Sequence, residues 1–279
     1  MSAALNALAP ANVVEAELKF IIPNGQRPQM FKPAPGQTEG RRTGDFEVRT
    51  VRIADGRHLA EHFSLDREGF ELSRHATAVS DFLDDDEVRS IYYPEVERLV
   101  RDATGASQVV IFDHTVRIDD VQKSLANDTR TPVRTVHNDY TLKSGPQRIT
   151  DLLDPEEARR WRAHRYALVN VWRSIAGPVE TTPLAIADAR SIRPESFVAT
   201  DLVYSDRVGE IYNVAYDPNL RWHYFSSMTR DEALLLKVFD SANDRAKWTA
   251  HGAFMNPQAP TDAAPRESIE VRTLLSFAP

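Results

Sequence analysis

The sequence predicts a mostly β protein, an antiparallel barrel or jelly roll with helices packed outside. Two observations carry this: roughly nine short apolar or alternating runs recur along the chain with turn residues between them, and they gather after a largely helical passage. A generic α+β fold is the rival. No internal repeat, low-complexity linker or composition break divides the 279 residues, so one domain over 1–279 is expected, with an extended arm over 1–45.

In chain order, Val13–Ile22 mixes β-branched and apolar residues and reads as a strand. Pro23–Gly44 holds four prolines and four glycines, a density that no helix or central strand tolerates. It reads as an arm, and with the stretch between Arg190 and Arg207 it is a candidate lid. Phe46–Ala54 alternates apolar and charged positions, as a half-buried strand does. From Ser80 to Ala106 the period changes: the acidic run Asp84-Asp85-Asp86-Glu87 suits a helix N-terminus. Val88, Ile91, Val96, Leu99 and Val100 follow at helical spacing. Pro94 is expected to kink or restart this helix, and Gly105 to lie near its end.

Gln108–Val116 is an apolar strand, in which His114 reads as a core-edge histidine with a hydrogen-bond partner. The segment around Gly145-Pro146 reads as a polar loop, and Asp154 caps a short helix that starts at Pro155. Arg165–Arg173 is a buried strand with Tyr166, Leu168, Asn170 and Trp172 on one face. Pro183–Ala189, Val208–Tyr216, Arg221–Ser226, Arg245–Phe254 and Ser268–Phe277 are further strands. Thr229 with Asp231 and Glu232 caps a turn before Ala233–Phe239, where Lys237 and Asp240 are either an ion pair or neighbours of a ligand.

Composition narrows the function. A net charge of −7 without a long basic cluster argues against nucleic acid or an anionic membrane as partner. A small-molecule substrate is expected, and a homo-oligomer or a partner enzyme is compatible with such a surface. With no cysteine, thiolate metal sites, iron–sulfur clusters and disulfides are excluded, so any metal must be held by His and carboxylate. The Ala-rich start lacks a basic leader, and no segment approaches the roughly 18 apolar residues of a membrane span. A soluble cytoplasmic protein is expected.

Against that background, Pro132–Thr141 stands out as a β-branched run ending in His137-Asn138-Asp139. Eight histidines and 41 acidic residues in 279 positions make one His-x-acid step an expected accident, so its context must decide. Two imidazoles and a carboxylate on one face of an iron leave positions for cosubstrate and oxygen. His137 and Asp139 supply two ligands from a strand end, and the third must come from a distant strand. His251, far downstream of Asp139, fits; His223 competes but is followed by no anion clamp. After His251, a strand would place Arg266, Ser268, Glu270 and Arg272 on one face. An inward arginine there can grip a dicarboxylate such as 2-oxoglutarate.

The ordered set resembles a known family. His137-Asn-Asp139-Tyr140-Thr141, Asn170-Val-Trp172-Arg173, Trp222-His-Tyr224, His251-Gly-Ala-Phe254 and Pro265-Arg266-Glu267-Ser268 are similar to the iron and 2-oxoglutarate oxygenase-like proteins. That group includes a cephamycin C7-methoxylation protein, the fungal gibberellin desaturase and fungal hydroxylase/desaturases of secondary-metabolite clusters. The resemblance covers about residues 45–277. It implies a cupin-like double-stranded β-helix, with Fe(II) held by His137, Asp139 and His251, and 2-oxoglutarate and O2 as cosubstrates. It also implies C–H hydroxylation or desaturation of a small molecule. In such barrels the 2-oxoglutarate arginine usually follows the distal His at a short interval. Arg266, the nearer of the two arginines to His251, fits that interval better and therefore ranks before Arg272; Asn170 is expected to donate a hydrogen bond to the cosubstrate. Two alternatives stay open: a non-catalytic jelly-roll partner of another enzyme, and an Fe(II) oxygenase that uses no 2-oxoglutarate.

Overall fold

A computed structural model describes residues 12–31, 37 and 40–278. The Ala-rich start and part of the arm lie outside the described residues. Fourteen strands among these residues form two sheets. The nine-stranded sheet contains β1 (Val13–Ile22), β2 (Gln29–Phe31), β3 (Asp45–Asp55), β6 (His137–Asn138), β8 (Leu184–Ala187), β9 (Phe197–Val203), β10 (Val208–Val214), β11 (Trp222–Tyr224) and β13 (His251–Ala253). Its order is β1-β3-β11-β8-β13-β6-β10-β9-β2. The smaller sheet contains β4 (Phe70–Arg74), β5 (Gln108–Ile118), β7 (Tyr166–Ser174), β12 (Glu232–Asp240) and β14 (Glu267–Ser276), in the order β4-β12-β7-β14-β5. This is the expected jelly roll.

Strand alternation explains the layers. On β7, Leu168 and Trp172 point between the sheets and meet Leu184 and Ile186 of β8 and Leu274 of β14. Ala167, Val169 and Val171, one residue out of phase, face the other way against Val88, Tyr92, Val96 and Val100. Those last residues belong to the helical passage formed by α1 (Asp85–Glu87), a π-turn (Val88–Tyr92) and α2 (Tyr93–Thr104). The Asp84 carboxylate accepts from the Asp86 and Glu87 amides at its start. Pro94, which has no N–H to donate, follows the π-turn, whose end has the Tyr93 amide donating to the Val88 carbonyl five residues back. Gly105 ends the helix at φ 69°, a left-handed cap. A third apolar layer joins β1 and β3 to the outer face of β8 through Leu18, Phe20, Ile53, Ala185 and Ala187.

After α3 (Val121–Ala126) the structure departs from the sequence expectation at Gly145-Pro146, which lies inside α4 (Ser144–Leu152) rather than in a loop. Pro146 occupies the first turn, where no helical hydrogen bond is lost. A Cβ on Gly145 would approach the Phe239 ring within 2.5 Å, so glycine here admits a close helix–sheet contact. The Asp154 carboxylate caps α5 (Pro155–Arg162) as expected. The strand expected over Arg245–Phe254 shrinks to His251–Ala253. β2, β4 and β9 were missed because each is short or only half buried. The arm is stitched in through parallel pairing of β2 with β9.

Candidate metal centre and its cavity

Register brings the sequence-distant ligands together. His137 on β6 lies opposite His251 on β13, and their ring centroids are 4.5 Å apart. Asp139 follows β6 directly, with its Oδ1 3.5 Å from His137 Nε2. One ligand atom from each of the three residues lies within 4.8 Å of the others. His223 is elsewhere: its ring packs 5.0 Å from Phe63 and 5.8 Å from Phe70.

Each ligand is aimed by a neighbour. His137 Nδ1 lies 2.8 Å from the Thr135 carbonyl, and His251 Nδ1 lies 2.9 Å from the Thr249 carbonyl. A carbonyl only accepts, so each Nδ1 carries the proton and each Nε2 offers its lone pair to the centre. Asp139 Oδ2 accepts from Asn170 Nδ2 at 2.8 Å and from Arg272 Nε at 3.3 Å, which leaves Oδ1 toward the imidazoles. Burial, with His251 beside it, lowers the His137 pKa to about 3, so the ring is neutral and ready to coordinate. Burial works to raise the Asp139 carboxyl, but Arg272 and the two histidines hold it well below the usual carboxylate range.

Asn138, between the two ligands, was missed as a functional residue. Its amide donates to the Tyr140 and Val238 carbonyls at 2.7 and 2.9 Å and accepts from the Thr249 amide at 3.2 Å. It thereby ties the first ligand pair to the strand that carries His251. The signal was present: alternation puts the middle residue of His-x-Asp on the buried face, where an amide must find partners.

The two arginines separate. Arg272 lies at the cavity, held by Asp139, by Asp113 at 3.2 Å, by Thr115 at 3.0 Å and by Glu270. Arg266 is buried deeper, where Nη1 donates to the Thr182 carbonyl at 2.8 Å and the guanidinium lies 5.5 Å from the Trp172 ring. Its Nε has no partner, and neither do Ser268 Oγ, Thr131 Oγ1 and Asn170 Oδ1. Arg117 joins this group, opposite Ser268 in register and donating to the Thr131 carbonyl at 2.9 Å. Burial and the mutual repulsion of the two guanidiniums lower Arg266 to about 9. Burial lowers Arg117 to about 10, opposed by Glu270. The donors of this group, Arg266 Nε and Ser268 Oγ beside Arg117, are short of acceptors, which a carboxylate would supply; Asn170 Oδ1, itself an acceptor, lies apart, opposite Arg272.

A cavity of about 1030 Å³ opens in front of the centre, lined by His137, Asp139 and Arg272 among others. Both candidate lid segments reach it, the arm through Met30 and the later segment through Leu202, Tyr204 and Arg207. His114 bonds Tyr93 Oη at 2.9 Å, as a core-edge histidine. Lys237 pairs with Asp240 at 3.0 Å and also with Asp66, so that pair is structural.

A jelly roll with two imidazoles and one carboxylate converging at its open cavity defines the class of non-heme iron oxygenases. The family model described as an oxidoreductase/YMDC permease-like domain matches residues 18–276, and the chain belongs to that family. The hydroxylase/desaturase CTB9 of Cercospora beticola is 35% identical over 85% of this chain and 79% of its own. The Fe(II)/2-oxoglutarate-dependent dioxygenase nvfI of Aspergillus novofumigatus is 32% identical over 94% of this chain and 96% of its own. A solved structure of the iron and alpha-ketoglutarate-dependent endoperoxidase NvfI superposes with a TM-score of 0.85 at 29% identity, covering 96% of this chain and 99% of that one. The chain is an enzyme of the iron- and 2-oxoglutarate-dependent oxygenase class. No helix among the described residues is long and apolar enough to cross a membrane.

Proposed function

We propose that the chain is a single-domain cytoplasmic oxygenase that hydroxylates or desaturates a small molecule of secondary metabolism, with His137, Asp139 and His251 as the ligands of Fe(II). The observation that carries this reading is the pair of histidines whose Nδ1 atoms are both committed to backbone carbonyls, with both Nε2 atoms turned toward the Asp139 carboxylate. Iron with 2-oxoglutarate and O2 supplies the oxidising power for an unactivated C–H bond.

The residues supply the rest. Arg266, with Ser268 and Arg117 beside it, holds the far carboxylate of 2-oxoglutarate, satisfying donors that otherwise lack partners. Arg272 and Asn170 hold Asp139 in its ligating orientation. No general base is needed.

Anaerobic addition of Fe(II) and 2-oxoglutarate should produce the weak visible charge-transfer band of such a chelate. His137→Ala and Asp139→Ala should abolish both the band and stoichiometric iron binding, a larger loss than the roughly 10–100-fold that follows removal of a residue behind a ligand. A wild-type protein without the band, or a double variant that keeps it, would refute the assignment.

A further inference from the structure

Two arginines of the cavity wall bear on which small molecules it takes. Arg148 of α4 stands inside it, with its guanidinium 5.5 Å from the Phe112 ring. The one carboxylate paired with it is Asp151, at 3.3 Å. Arg207 lies against the Tyr204 ring at 4.2 Å and has no carboxylate partner among the described residues. Of the cavity's acids, Asp201 and Glu210 are engaged with Arg27 and Asp113 with Arg272.

Both cations line the same cavity. Burial raises the Tyr204 phenol, and Arg207, Arg148 and Arg272 all act against that rise. Tyr204, which carries Arg207 on its ring, lines that cavity with Arg148 and Asp139. A guanidinium that rests its face on an aromatic ring keeps its N–H edge free for an oxyanion. The cavity wall mixes polar and charged side chains with apolar ones, among them Met30, Leu202, Phe112 and Leu152.

We infer that the substrate is an apolar skeleton bearing a carboxylate, which Arg148 and Arg207 grip so that a C–H bond of the skeleton faces the metal centre. The inference rests on the oxygenase reading and deepens it. One anchored end and one featureless body would fix which carbon is presented, since an apolar wall alone permits sliding.

The test uses 1-pyrenebutyric acid and its methyl ester, a pair with one apolar body and a charged or neutral end. Equilibrium dialysis against protein loaded anaerobically with Fe(II) and 2-oxoglutarate should show the acid binding about tenfold more tightly than the ester, the scale of one charge-assisted contact. In the Arg148→Met/Arg207→Met double variant the two should bind alike, with ester affinity unchanged as the check on folding. If the double variant does not fold, Arg148→Gln and Arg207→Gln singly should each lower the acid-to-ester ratio severalfold. Equal binding to wild type, or a preference that survives these substitutions, overturns the inference. The visible band in the same samples reports the iron reading separately, so a lost preference with the band present counts against this inference alone.

Discussion

Two of the buried polar clusters in this fold differ in how fully their atoms are paired. In the first, Asp240, fully buried, takes Arg165 at 2.7 Å, Lys237 at 3.0 Å and the Ala242 amide at 2.9 Å. Asp66 caps it through Lys237, Arg165 and Arg245. In the second, behind the metal centre, Arg266 Nε, Ser268 Oγ, Thr131 Oγ1 and Asn170 Oδ1 have no partner. Another unpartnered buried atom, Trp161 Nε1, lies among apolar groups. Unpaired donors at the start of β14, Arg266 Nε and Ser268 Oγ, are what a bound carboxylate would satisfy. A saturated cluster marks structure.

The sharpest way to break this contrast is to damage the saturated cluster. Asp240→Ala strands buried cations and should cost about 3–5 kcal/mol, the scale of a broken buried pair, read from urea denaturation. The KM for 2-oxoglutarate should stay unchanged. Arg266→Leu should do the reverse, raising the KM for 2-oxoglutarate about 10–100-fold, as loss of charge-assisted bonds implies. Its melting temperature should hold or rise, because a buried cation without a carboxylate is removed. If Arg266→Leu instead lowers stability and leaves KM alone, the contrast fails, and Arg272 becomes the clamp to test.

A smaller effect concerns His223, whose Nδ1 is also without a partner. Burial against the phenylalanines lowers its pKa to about 4. The unfolded chain, with its histidine near 6.5, therefore binds more protons than the folded one between these values. Stability is fully present above about pH 6.5 and declines as pH falls toward 4. His223→Phe should flatten that part of the denaturation-midpoint profile while iron binding persists; loss of iron would return His223 to the ligand question.

Much of the centre was legible in the sequence. His137 and Asp139 were visible as a strand-end pair, and His251 as the imidazole that precedes an arginine-bearing strand. The inward face of β7 followed from period two, which placed Asn170 beside Leu168 and Trp172. What was illegible was mostly short or shared. A three-residue strand such as β2 has too few positions to display a period. The Gly145-Pro146 helix start mimics a turn, because residues that end a helix in its interior are admitted in its first turn.

Residue order determined which side chains alternate onto one face, which segments are strands, and that any metal must be held without thiolate. Those are properties of a few neighbouring residues, and local chemistry fixes them. Tertiary structure decided what depends on pairing across the sheets: that His251 stands opposite His137, that the Thr135 and Thr249 carbonyls select the tautomer of both ligands, and that Arg272 meets Asp139 while Arg266 lies deeper beside Trp172. Register joins strands that are far apart along the chain, and no local pattern records it.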